Sequence, residues 1–169
     1  MKRIGTKILN FIEVHLATWI FILLLTSVSI EVFSRYVLNK PSPRFFEISI
    51  YSFIWTIYLG ASLAKRYNQH IRFDIIYSKL PPKGRLLVDI IFDSLISIVF
   101  LILLVPCVNY TLWNYRIKSS VLRVPWTYLL MCFPIFVILI LIHNFRDIYT
   151  NVRIFMGKAT ERKEVLPWQ

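Results

Sequence analysis

The chain has 169 residues, of which 57% are hydrophobic and 17% are charged, whereas a soluble domain is typically about 45–50% apolar and about 25% charged. This composition excludes an intrinsically disordered chain, and two cysteines in 169 residues exclude a disulfide scaffold. A protein of 20.1 kDa with a mean hydropathy of +0.60 has too little interior to bury so much apolar surface. The sequence therefore predicts an integral membrane protein.

Four apolar stretches are long enough, or nearly so, to cross a bilayer as helices, which takes about 20 residues. The runs are continuous rather than alternating as in a membrane barrel, and a helix satisfies its own backbone hydrogen bonds in lipid. We therefore predict an all-α integral membrane fold with four transmembrane helices in a single domain. The predicted spans and the tail that follows them cover approximately residues 9–38, 45–66, 86–116, 124–147 and 148–169.

The basic residues indicate how the chain is oriented. With four spans, one side of the membrane carries 14 Lys and Arg residues and the other side carries 6. Because Lys and Arg are enriched in cytoplasmic segments, both termini are predicted to be cytoplasmic. The net charge of +11 would also suit nucleic acid, but the basic residues lie in the gaps between apolar runs, where lipid headgroups would meet them. Nucleic-acid binding is therefore not expected.

The segment between the second and third spans carries an apolar stripe at helical spacing. Its members follow the i, i+3, i+4, i+7 pattern, and two prolines come directly after it. This pattern predicts a short amphipathic helix that lies on the membrane surface or packs against a partner subunit. The stripe consists of Phe73, Ile76, Tyr77 and Leu80.

The sequence offers little for catalysis. It contains no HExxH, CxxC, glycine-rich phosphate loop or nucleophile elbow. Acidic residues are scarce, and the loops are too short to form a soluble catalytic domain. We therefore expect no enzymatic activity, no catalytic or substrate-binding residue, no metal site and no cofactor bound by this chain.

Charged residues at the ends of the spans are either a solvated interfacial face or candidates for structural ion pairs and for contacts with another membrane protein. Glu31 and Arg35 are four residues apart in the order that favours a helical ion pair, and Glu47 opens the second span within sequence reach of two arginines. None lies at mid-bilayer, where an ion carrier would keep its coupling carboxylate. The candidates are Glu31, Arg35, Arg44, Glu47, Asp89 and Asp93.

Two histidines and two cysteines lie within or beside the spans. His15 and His143 lie near the cytoplasmic ends of the first and fourth spans, where they are either interfacial side chains or the ligands of a haem b. Cys107 and Cys132 are either buried small hydrophobic residues or part of a thiol oxidoreductase. The oxidoreductase would need exchangeable cysteine pairs at the water boundary, which the sequence lacks.

Two sequence blocks resemble the small membrane subunit of tripartite ATP-independent periplasmic (TRAP) transporters, the DctQ-like family. Their order and spacing match over roughly residues 10–150. Phe45-Phe46 departs from the family, which often has Trp shortly before the acidic residue of the first block. The blocks are Arg35-Tyr36-Val37-Leu38-Asn39-Lys40-Pro41 with Glu47, then Gly60-Ala61-Ser62 with His70-Ile71-Arg72-Phe73-Asp74 and Leu80-Pro81-Pro82.

The resemblance implies a non-catalytic subunit of the bacterial inner membrane. Its partners would be a large multi-span transport subunit driven by sodium, a periplasmic substrate-binding protein and the phospholipid bilayer. The substrate would be an organic anion such as a dicarboxylate or a sialic acid. Two rival classes stay open, a four-helix b-type cytochrome and a stand-alone small dimeric exporter. The outer basic residues that could steer an acidic face of the binding protein are Lys40, Arg116, Lys118 and Arg123.

Overall fold

The computed structural model describes residues 9, 11–67 and 82–156 of the chain. Within these residues a π-helical turn leads directly into the first long helix, and three more long helical stretches follow. A 3₁₀ turn at Asn114–Arg116 closes the third stretch, and the fourth is divided into a short helix and a long one. The π turn covers Phe11–Leu16, and the α-helices are α1 (Ala17–Tyr36), α2 (Pro43–Arg66), α3 (Pro82–Trp113), α4 (Thr127–Leu130) and α5 (Cys132–Phe155).

Four of these helical stretches are long and apolar enough to cross a membrane, which confirms the predicted all-α membrane fold. The fourth helical stretch extends to Phe155, and the end of the fourth span at residue 147 stays a prediction. The interfacial helix predicted from Phe73, Ile76, Tyr77 and Leu80 lies outside the described residues, and the orientation of the termini stays a prediction. The four spans are Phe11–Tyr36, Pro43–Arg66, Gly84–Arg116 and Thr127–Phe155.

The fourth span begins as two helices because of a proline. Pro134 has no N–H and cannot donate to the carbonyl of Leu130. The helix is interrupted at Met131, whose N–H donates to Thr127 O at 2.8 Å and whose carbonyl accepts from Ile135 N–H at 3.2 Å. Pro134 then lies in the first turn of α5, where a missing N–H removes no intrahelical bond.

The chain divides into two compact units. The first takes in the described residues up to Leu63 together with Cys107–Phe136. In it, the Tyr58 ring of α2 packs against Phe133 and Phe136, with ring centroids 5.5 and 5.4 Å apart. The second unit comprises Ala64–Pro106 and the described residues from Val137 onward. Its buried apolar side chains lie on α5 and include Val137, Leu139, Ile140 and Leu141.

Polar and apolar side chains are distributed as expected for a protein surrounded by lipid. Most large apolar side chains of α1 and α3 are exposed, with Trp19 at 70% and Ile102 at 69%. The buried residues are instead largely small or polar and include serines, threonines and asparagines. Small and polar residues favour close helix packing in membranes, where lipid covers the apolar exterior. The burial pattern therefore agrees with the membrane assignment.

Candidate functional site

A hairpin connects the third span to the fourth in the first unit. The Ser119 N–H donates to Val124 O and the Trp126 N–H donates to Ile117 O, both at 2.9 Å. These bonds flank an isolated antiparallel bridge between Lys118 and Pro125. Such a pattern makes the 117–126 segment, called the hairpin below, a folded loop with a defined backbone.

The hairpin turns through a residue in the left-handed region. Arg123 has a φ of 54°, which is uncommon for a residue with a side chain and carries a modest strain. The next residue stabilises the turn, since the Val124 N–H donates to the Ser119 hydroxyl at 3.2 Å. Arg123 is therefore presented at the turn in a backbone conformation that glycine or asparagine would also adopt.

Two hydrogen bonds fix the start of α4, which directly follows the hairpin and is called its base below, to the neighbouring helices. The Thr127 hydroxyl donates to Thr111 O at 2.8 Å, which joins the start of α4 to α3. The Trp55 indole N–H donates to Tyr128 O at 3.1 Å, which joins α4 to α2. The N–H group of an indole usually donates a hydrogen bond when the side chain is buried. The base of the hairpin is thus held by two different helices.

A third bond holds the tip of the hairpin. The Leu122 N–H donates to Oε2 of Glu47 at 2.8 Å, across 75 residues of sequence. Glu47 lies in the first turns of α2 and is partly buried. The sequence suggests Arg35 or Arg44 as partners for this carboxylate, but the partner that the structure shows is a backbone amide.

The four basic residues predicted to meet a binding protein lie in the first unit. Lys40 follows α1, Arg116 ends the 3₁₀ turn, and Lys118 and Arg123 belong to the hairpin. All four are exposed, as is Arg44. The segments 37–46 and 114–126 contain no acidic residue. The loops of this unit therefore present a positively charged surface.

The predicted ion pair between Glu31 and Arg35 is present. The guanidinium of Arg35 donates to Oε1 of Glu31 one helical turn earlier on α1. Glu31 is 8% exposed, whereas the Arg35 side chain is 49% exposed. The Glu31 carboxylate is thus buried, whereas the Arg35 guanidinium lies at the surface of the protein.

A buried polar cluster occupies the second unit. Lys65 Nζ lies 2.6 Å from Asp93 Oδ1, and the Ser97 hydroxyl donates to Asp93 O at 2.6 Å. The Asn144 amide donates to the Ser97 hydroxyl at 3.2 Å. Asn144 is fully buried, and its Oδ1 has no hydrogen-bond partner in the described part of the chain. These contacts link α2, α3 and α5 through charged and polar groups.

Sequence reasoning identified Asp93 but missed the rest of this cluster. Asp89, the other acidic candidate on α3, lies one turn before Asp93 and is only partly buried. The sequence places Lys65 at the membrane boundary, because it follows an apolar run and precedes Arg66. The available signal was Asn144, because a polar amide within an apolar run usually faces another helix.

A second buried carboxylate also escaped the sequence reasoning. Glu13 is fully buried in the π turn, and its Oε1 accepts a hydrogen bond from the Ser62 hydroxyl at 2.8 Å. Ser62 belongs to α2 and is also fully buried. An ionisable residue within a span is a functional or packing site by default, so Glu13 could have been found from its place in an apolar run.

The histidines and cysteines that the structure describes are His15, His143, Cys107 and Cys132, and they lie in different surroundings. His15 is exposed and lies beside the Phe11 ring, whereas His143 is buried and belongs to the second unit. The exposure of His15 does not favour the haem hypothesis, since a haem ligand is normally enclosed. Both Cys107 and Cys132 are free thiols, and the Cys132 thiol donates to Leu129 O at 2.9 Å.

The structure defines a multi-pass membrane protein whose buried ionisable groups have partners within the chain. No group of three or more His, Cys, Asp or Glu residues that could hold a metal occurs among the described residues. A family model for the DctQ component of tripartite ATP-independent periplasmic transporters matches residues 24–154. The chain belongs to this family, as its sequence blocks predicted.

One relative supports the same assignment. The chain is 39% identical over 71 residues to a TRAP transporter small permease protein of Haemophilus influenzae. The aligned stretch covers 42% of this chain and 44% of the relative, which is less than half of either protein.

Proposed function

We propose that this chain is the small, non-catalytic membrane subunit of a TRAP transporter in the bacterial inner membrane. In this role it braces a large multi-span transport subunit and helps a periplasmic substrate-binding protein to dock. The observation that carries the proposal is the family match over residues 24–154. The name of the Haemophilus influenzae relative, a small permease protein, supports the same role.

The bracing role is supported by where the polar groups lie. Buried charged groups of the spans are partnered inside the chain, as Lys65 is with Asp93 and Glu13 with Ser62. Large apolar side chains on α1 and α3 are left exposed to lipid or to another membrane protein. Buried charges that are partnered within the chain suit a scaffold better than a carrier, which would need an accessible coupling group.

The docking role is supported by the basic surface of the first unit. Lys40, Arg116, Lys118 and Arg123 are exposed, and basic groups on a surface speed association with an acidic partner. Docking requires these loops to be periplasmic, as the distribution of Lys and Arg along the sequence predicts. Both termini are then cytoplasmic.

The energy source and the substrate belong to the partner subunits in this proposal. Sodium drives the large subunit, and the binding protein delivers an organic anion of the dicarboxylate or sialic acid type. This chain binds no cofactor and performs no reaction.

Reconstitution tests the proposal. Proteoliposomes would contain the large subunit of the same transport system with or without this chain, and the binding protein with radiolabelled dicarboxylate or sialic acid would be added outside. We expect uptake only with both membrane subunits, the binding protein and an inward sodium gradient; potassium in place of sodium is the control. Full uptake without this chain, uptake by this chain alone, or a haem absorbance band in the purified chain would contradict the proposal.

A further inference from the structure

The hairpin is held at its base and at its tip by different kinds of bond. The base uses the Thr127 hydroxyl and the Trp55 indole, both of which bind backbone carbonyls. The tip uses the Glu47 carboxylate, which accepts the Leu122 N–H. Loss of the carboxylate would therefore free the tip while leaving the base attached to α2 and α3.

The tip of the hairpin carries the exposed basic side chain of Arg123. Leu122, whose amide is bound, directly precedes Arg123, whose backbone is in the left-handed region at the turn. Lys118 lies across the hairpin at its bridge to Pro125. The bond from the Leu122 N–H to Oε2 of Glu47 is 2.8 Å long, which is within the range of a well-formed hydrogen bond, so Glu47 is well placed to hold the residue next to Arg123.

We propose that Glu47 is a positioning residue for docking, which holds the tip of the hairpin so that Lys118 and Arg123 meet an acidic surface of the periplasmic binding protein. The inference rests on the proposed docking role. The segments 37–46 and 114–126 contain no acidic residue of their own, and Glu47 is bound to a backbone amide. The basic charge is therefore available to a partner, and a protein with carboxylates at matching positions fits it.

Hydrogen–deuterium exchange tests the tether directly. The chain is assembled with its large subunit in nanodiscs, and exchange is followed in peptides covering 117–126. Glu47→Ala removes the acceptor and should speed exchange at the tip about tenfold or more, because the Leu122 amide loses its partner. Glu47→Gln keeps a carbonyl acceptor and should remain close to wild type. Ser49→Ala is the matched control, since this hydroxyl bonds only within its own helix, to Phe46 O at 2.7 Å.

Docking kinetics test the consequence. The association rate of the binding protein is measured on the same nanodiscs, made of zwitterionic lipid, over a series of salt concentrations. Glu47→Ala should lower the rate at low salt about five- to tenfold and flatten its dependence on salt, because the basic groups no longer act from fixed positions. Glu47→Gln should rescue both quantities to within about twofold of wild type, and Ser49→Ala should change neither.

A double variant separates this inference from the docking role of the hairpin itself. Lys118→Ala with Arg123→Gly removes both charges while keeping a residue that tolerates the turn. If this double variant docks like wild type, the docking role of the hairpin charges is wrong. If it docks slowly but Glu47→Ala exchanges and docks like wild type, only the positioning inference is overturned.

Glu47→Asp covers the case in which Glu47→Ala does not assemble. Aspartate keeps the charge but shortens the side chain, so the bond to Leu122 is stretched, whereas glutamine keeps the bond and loses the charge. We expect faster exchange and slower docking for Glu47→Asp than for Glu47→Gln. The reverse order would mean that the charge of Glu47, not its bond, matters, and would overturn the inference. A defect that occurs only in nanodiscs with anionic lipid would assign the hairpin to the lipid surface and would also overturn it.

Discussion

Lys65 and Asp93 form an ion pair that joins α2 to α3 inside the second unit, with Nζ and Oδ1 2.6 Å apart. Each residue is 8% exposed. Because both side chains are shielded from water, solvent cannot take the place of either partner. Removing one of the two side chains therefore leaves the other buried without a compensating charge. The pair therefore makes the packing of α2 against α3 sensitive to a single side chain.

Breaking this pair should destabilise the chain strongly. Asp93→Ala should lower the free energy of unfolding by about 3–5 kcal/mol, because the buried Lys65 side chain loses its partner. The double change Lys65→Met with Asp93→Leu should recover most of the loss, since two apolar residues can replace a buried pair. Denaturant titration of the purified chain in detergent measures both values. Arg153→Ala, at an exposed site, is the control, and Asp93→Ala with wild-type stability would refute the prediction.

The bond between Ser62 and Glu13 should contribute less. Ser62→Ala removes the hydroxyl that donates to the buried carboxylate and should cost about 1–3 kcal/mol of unfolding free energy, the range for a buried polar group that loses a partner. Ser62→Thr keeps the hydroxyl and tests whether the loss comes from the bond. Equal stability of the alanine variant and the wild type would show that Glu13 does not depend on this bond.

The predicted topology can be checked by labelling in whole cells. Single cysteines are placed at Lys40, Ser120 and Lys83 in a background in which Cys107 and Cys132 are replaced. Lys40 and Ser120 should react with an impermeant thiol reagent, and Lys83 should react only after the cells are opened, because Lys and Arg favour the cytoplasmic side. The opposite labelling pattern would invert the topology and remove the hairpin from the periplasm.

Local patterns in the sequence predicted some features and not others. The four spans follow from the length of the apolar runs, and the pair of Glu31 with Arg35 follows from helical spacing. The bond from Leu122 to Glu47 spans 75 residues and uses a backbone amide, which every residue except proline possesses. No residue pattern marks such a partner, so the tether became visible only when the fold brought the two segments together.

The same limit applies to the buried clusters. Lys65 and Asp93 are 28 residues apart and Ser62 and Glu13 are 49 residues apart. Each residue lies at a predictable depth, but which side of a helix meets which neighbour depends on packing that periodicity does not determine.

The native cysteines should be dispensable. Cys132 is 2% exposed and Cys107 is partly buried, and both are free thiols within helices. Replacing both with alanine should leave sodium-driven uptake within about threefold of wild type, because buried structural thiols are inert. Uptake in proteoliposomes and non-reducing electrophoresis test this prediction. Loss of uptake, or a crosslink between residues 107 and 132 in the native protein, would contradict it.

The pair of Glu31 with Arg35 should affect the fold less than the pair of Lys65 with Asp93, and it should also affect assembly. Arg35 is half exposed but Glu31 is buried, so Arg35→Ala should cost about 1–3 kcal/mol of unfolding free energy, the range for a buried polar group that loses its partner. The variant also leaves the buried Glu31 carboxylate without the Arg35 guanidinium. The exposed side of this pair is where we expect the large subunit to bind. Co-purification of the large subunit with Arg35→Ala should therefore fall, while Arg35→Lys and the double change Arg35→Ala with Glu31→Gln should retain more of it. Wild-type recovery of the large subunit with Arg35→Ala would show that this pair takes no part in bracing.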